Sequence, residues 1–145
     1  MLYFARMARE AQLQLLSRYE NIELAEQMLA ELGRDSEIER ETLYWVGMAM
    51  REALANAIKH GNKLNPDKRV LVMMRIVPAD EIFIAIEDEG EGFDPTRLAD
   101  PTDEENVLRA SGRGVFYMKS FMDTVEFRPT PRGGTRIELS KRLVS

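Results

Sequence analysis

Glu52-Ala53-Leu54-Ala55-Asn56-Ala57-Ile58-Lys59-His60-Gly61-Asn62 is the stretch on which the fold turns. Polar side chains recur at Glu52, Asn56 and either Lys59 or His60, the i, i+4 and i+7 or i+8 positions of one helical stripe. The residues before them, 43–50, are Leu-Tyr-Trp-Val-Gly-Met-Ala-Met, an apolar run that predicts a central helix covered on more than one face. A solvated polar face is the ordinary reading of such a stripe. It is weakened here because a carboxylate and an amide leaving a covered helix need partners. By residue type, Glu52 suits a general base, the Asn56 amide oxygen suits Mg²⁺, and Lys59 suits phosphate.

Upstream, Ser36-Glu37-Ile38-Glu39 matches a capping box opening this helix, which is expected to run unbroken to His60-Gly61-Asn62. Ser17-Arg18-Tyr19-Glu20 matches another, and Ile22, Ala25, Leu29 and Leu32 then recur at helical spacing until Gly33 supplies a stop. Residues 1–12 read as a short helix or a frayed arm, and 13–17 as a weak strand. Downstream, 70–77 and 81–87 are β-branched and aliphatic around the turn Pro78-Ala79-Asp80, an antiparallel hairpin. A short helix over 115–122 and strands over 124–128 and 135–142 complete the chain. Because strands and helices are grouped, the expected class is α+β. The architecture is a two-layer sandwich, a mixed, mostly antiparallel sheet covered on one face by helices.

Three glycine-bearing strings follow the predicted strands or open a helix. Asp88-Glu89-Gly90-Glu91-Gly92 lets a ligand approach the backbone, with Asp88 able to accept from an exocyclic amine, although such strings alone are mostly turns. Ser111-Gly112-Arg113-Gly114, before Val115, reads equally as an anion cradle at a helix start or a plain hinge. Gly133-Gly134-Thr135 alone is a hairpin turn, with Thr135 able to bring a hydroxyl near a ligand. Between the first two, Phe93 to Ser111 lacks periodicity, and from Asp94 it carries five acidic against two basic residues and two prolines, a long loop of the kind that is usually functional.

Composition narrows the function classes. The 145 residues fit one domain over 1–145, 44% hydrophobic and 31% charged, as in ordinary globular chains. A net charge of −5 argues against a nucleic-acid partner. No cysteine and one histidine, His60, exclude disulfides, thiolate chemistry and His-rich metal sites. The longest apolar run is far below the ~20 residues that span a bilayer, and the first ten lack a signal-peptide core, so no membrane partner and a cytoplasmic location are expected.

Taken in order, the four strings resemble the boxes of the GHKL or Bergerat ATP-binding fold, from Glu52–Asn62 to Thr135, and the likeness runs over about residues 20–142. Glu20-Asn21-Ile22, Asn56-Ala-Ile-Lys-His-Gly and Ser111-Gly-Arg-Gly-Val are most similar to the anti-sigma factor serine kinases. The resemblance implies ATP and Mg²⁺ as cofactors, with Asn56 on the ion and Lys59 on phosphate. Asp88 would bind the adenine amine, with Gly90 and Gly92 shaping its pocket. An ATP lid would span about 93–114, Ser111, Gly112, Arg113, Gly114 and Val115 would meet the phosphates, and Thr135 would complete adenine recognition. Glu52 would be the catalytic base for a serine hydroxyl. The implied partners are a sigma factor and a STAS-type anti-sigma factor antagonist, with a homodimer as a further expectation. A partner-switching module with little kinase activity, or a plain ATPase, would carry the same boxes.

Overall fold

A computed structural model describes residues 8–34, 36–90 and 114–143. Residues 93–113 of the expected lid, with Ser111, Gly112 and Arg113, and Gly92 before it lie outside the described residues.

The first element of the described residues is strand β1, Arg9–Leu16, which pairs along its whole length with β2, Arg69–Val77, from Arg9↔Ile76 to Leu16↔Arg69. The strand thus begins four residues before the expected 13, and residues 9–12 are neither helix nor arm. Its inward positions are Ala11, Leu13 and Leu15, alternating with exposed Glu10, Gln12 and Gln14. Small Ala11 dilutes that period-two signal.

Helix α1, Ile22–Arg34, buries Ile22, Ala25, Leu29 and Leu32 as their spacing predicts. Its expected capping box does not form. Tyr19–Asn21 make a 3-10 turn, Arg18 supplies no side-chain cap, and the Ser17 hydroxyl is buried without a partner among the described residues. Asn21 Nδ2 instead donates to the Leu16 carbonyl at 2.8 Å. Gly33 sits inside the last turn, where an added Cβ would come within 2.9 Å of the Leu43 side chain, so it serves close packing of the next helix.

Helix α2, Arg40–Asn56, starts at Glu39, also without a side-chain cap. Ser36 turns back instead and donates its hydroxyl to the Leu32 carbonyl at 3.0 Å, satisfying an orphan acceptor at the end of α1. In both places a tertiary or backward bond outcompetes the local box. One stripe of α2, Val46, Ala49, Met50, Ala53 and Leu54, is buried. Tyr44 remains 59% and Trp45 38% exposed, so the apolar run is not covered all round. Trp45 lies against Phe121, ring centres 4.6 Å apart, which protects part of its indole.

Beyond Asn56 the helix widens into a π turn, Ala57–Gly61, with the Asn62 amide donating to the Ala57 carbonyl at 2.8 Å. β2 and β3, Glu81–Asp88, form the expected hairpin. Helix α3, Gly114–Phe121, leads to β4, Thr124–Pro129, and β5, Thr135–Arg142.

The sheet order is β1-β2-β3-β5-β4, and all four described ladders are antiparallel. Register aligns Met74, Ile84, Leu139 and Val125 in one row, and Val72, Ile86, Ile137 and Phe127 in the next. These rows meet Leu29 of α1, Met50 and Leu54 of α2 and Met118 of α3 in a single core. Full burial stabilises each large aliphatic by about 1.5–3 kcal/mol, so this face fixes how α2 lies over the sheet. No helix of the described residues is long and apolar enough to cross a membrane.

Candidate functional site

The inward row Leu15, Val70 ends across the hairpin at Asp88, the last residue of β3. Strand alternation therefore aims a carboxylate, where its row would otherwise hold an aliphatic, at the layer of helices. Asp88 is only 7% exposed. Its Oδ1 accepts the Gly90 N–H at 2.9 Å and the Thr135 N–H at 3.1 Å. Among the described residues Oδ2 accepts neither of these and keeps acceptor capacity for a ligand. Burial pushes the carboxyl above the ordinary aspartate value, against the two N–H bonds and the Lys68 charge, which lower it.

Three glycines make the wall around this carboxylate. A Cβ on Gly61 would collide with Asp88 Oδ2, one on Gly90 with the Gly61 carbonyl, and one on Gly134 with the Asp88 carbonyl. Each comes from a different element: the π turn, the end of β3 and the approach to β5. Gly133 takes φ +94° to turn the chain, and the Gly134 N–H is held by Thr130 Oγ1 at 2.9 Å. Thr135, 6% exposed, follows at once.

The structure thus brings together Asp88, Gly90 and Thr135, and adds Gly61, Gly134 and Lys68, which no role had singled out. The strings containing the two glycines are visible in sequence, but their meeting at Asp88 crosses 27 and 46 residues. Glu52 and Asn56 are half-buried on α2. Lys59 and His60 are exposed. The reason is the π turn, which holds more residues per turn than an α-helix and rotates the residues after Asn56 away from the straight-helix stripe. In exchange it carries Gly61 onto Asp88. Gly114 is the first residue of α3, while the Val115 side chain packs into the core at 3% exposure, leaving only its backbone for a ligand.

Chemically, the site presents a desolvated acceptor on which backbone at three glycines packs closely. A flat heterocycle bearing an amine donor fits that description. Among the described residues no three His, Asp or Glu gather to hold a metal ion. A half-buried amide oxygen such as that of Asn56 suits an ion that takes its other ligands from phosphates and water.

The histidine kinase-like ATPase domain family matches residues 15–141. The anti-sigma F factor of Heyndrickxia coagulans is 32% identical over 140 residues, covering 94% of this chain and 95% of that protein. The serine-protein kinase RsbW of Staphylococcus epidermidis is 37% identical over 84 residues, 54% of this chain and 53% of that protein. Among solved structures, the RsbU and RsbW domains of Rv1364c from Mycobacterium tuberculosis superpose with a TM-score of 0.66 at 14% identity, over 93% of this chain and 32% of that one. The mycobacterial sensor histidine kinase MprB gives 0.55 at 17% identity, over 92% and 99%. At those identities the two structures speak for the fold alone.

Proposed function

The chain belongs to the histidine kinase-like ATPase domain family, and from that membership we propose that it is an ATP-dependent protein-serine kinase acting as an anti-sigma factor. Its partners in this reading are a sigma factor, which it sequesters, and a STAS-type antagonist, which it phosphorylates. The names of its relatives, an anti-sigma F factor and a serine-protein kinase, support that assignment. The observation that carries the ATP-binding part is the Asp88 carboxylate, 7% exposed and walled by bare backbone. Regulation of this kind belongs in the cytoplasm, and a homodimer is part of the same reading.

Each residue then has a role. Asp88 accepts the adenine amine, and Gly61, Gly90 and Gly134 let the surrounding backbone close on its carboxylate. The Asn56 amide oxygen helps hold Mg²⁺. Bound Mg·ATP supplies the phosphoryl group and neutralises part of its charge. Glu52 takes the proton from the acceptor serine, a step an imidazole acceptor would not need. Lys59 contacts phosphate in this reading only if its exposed side chain swings inward. Gly92 and the 111–115 segment complete the pocket and the phosphate cradle.

The test mixes the purified chain with Mg·ATP labelled on the γ-phosphate and candidate antagonist-domain proteins. Serine-bound label is expected, and Glu52→Ala is expected to cut transfer by about 10²–10⁴-fold while ATP still binds. Lost ATP affinity with normal turnover at saturation would remove Glu52 from the role of base. Tight ATP binding with label on no candidate would favour a sequestering module without phosphotransfer.

A further inference from the structure

Asn62 closes the π turn and is completely buried. A buried amide is tolerated only when its donors and acceptor are engaged. The side-chain amide reaches two elements and the backbone N–H a third. The backbone N–H donates to the Ala57 carbonyl at 2.8 Å, Nδ2 donates to the Arg69 carbonyl at the start of β2 at 3.0 Å, and Oδ1 accepts the Glu89 N–H at 2.8 Å. The Glu89 side chain in turn accepts the Arg69 N–H, so both strand ends are cross-tied beside Asn62.

Glu89 stands between Asp88 and Gly90, and the Gly90 N–H is one of the two bonds that orient Asp88 Oδ1. With the Glu89 N–H released, the 88–89 peptide loses its hydrogen bond to the end of the π turn, and a rotation there carries through Glu89 to move the Gly90 N–H off the carboxylate. We infer that Asn62 is a positioning residue: through the Glu89 backbone it sets the direction in which Asp88 presents its free oxygen to the bound base. This deepens the adenine-binding role of Asp88 and rests on it.

The experiment measures calorimetric affinities for ATP and for inosine triphosphate, which lacks the exocyclic amine, alongside thermal melting. The wild-type chain is expected to prefer ATP; if it does not, the adenine reading of Asp88 fails, and Asn62 has no such role to play. Given a wild-type preference, Asn62→Ala is expected to reduce the ATP-to-ITP ratio about tenfold, the worth of one hydrogen bond to a charged group. Asn62→Ser, too short to reach the Glu89 amide, gives the same reading should the alanine variant not fold. Asn62→Asp keeps an acceptor for that amide and is expected to hold the ratio within about threefold of wild type, despite the lost bond to Arg69. A lowered melting point with the ratio intact in Asn62→Ala or Asn62→Ser would reduce the residue to a fold element and overturn the inference. So would an Asn62→Asp ratio no better than that of alanine.

Discussion

Asp88 illustrates how a binding residue can work against the fold that holds it. Burial raises its pKa, so protonation favours the folded chain. The sign follows from linkage: the stabilisation from proton uptake is full below the ordinary aspartate value and is lost as pH rises through the raised one. At neutral pH the ligand-free protein therefore carries a carboxylate that destabilises it. Asp88→Asn is expected to raise the melting temperature of the ligand-free protein at neutral pH by a few degrees, the scale of about 1 kcal/mol, and to abolish the preference for ATP. Scanning calorimetry with and without nucleotide checks both halves. For the wild type, ATP affinity should fall on acidification through the raised pKa, since a protonated carboxyl accepts less strongly from an amine. The Asp88 string was legible in sequence because strand alternation and two glycines mark it. Its contact with Gly61 was not, because nothing local to either residue encodes it.

At the scale of elements, periodicity succeeded and capping patterns failed. The hairpin and the α1 stripe follow from spacing that burial enforces over many residues. A capping box is four residues long, and a single better partner defeats it, as the Leu32 carbonyl does for Ser36. The π turn left no trace either, since Ala57 to Gly61 compose a good α-helical end and its close approach to Asp88 is a tertiary contact. That packing makes Gly61 intolerant: Gly61→Ala is expected to cost about 1–3 kcal/mol of stability through overpacking and at least tenfold in ATP affinity. Denaturant melts and calorimetry on one preparation would show it. A variant with wild-type affinity would mean that the π turn can move without disturbing the site.

The whole molecule is a sheet with two unlike faces. Under the helices the rows are aliphatic, whereas on the open face Arg136 meets Glu87 at 3.1 Å and Glu138 at 3.0 Å, and Arg128 joins Glu138 at 2.5 Å. Burial pushes Glu138 up, but the bonds from these two arginines prevail and hold it below the ordinary value. Partly solvated pairs contribute little, and core truncations cost much. Ile84→Ala is thus expected to cost about 2–5 kcal/mol and Arg136→Ala about 1 kcal/mol or less, the latter shrinking with added salt. Urea titrations at two ionic strengths separate the two. This division of faces was readable from grouped elements and period-two strands, and so was the antiparallel β2–β3 hairpin, while the order β1-β2-β3-β5-β4 needed the structure.

The wall around Asp88 is main chain contributed by Gly61, Gly90 and Gly134, three positions where any larger residue collides. Such a surface offers evolution or the engineer no side chain to exchange. Randomising these codons together and selecting for nucleotide retention should return glycine at each. Altered base preference would have to arise from Asp88, Thr135 or the ties that orient them. The pocket is thereby conservative in shape and adjustable only in its few polar contacts.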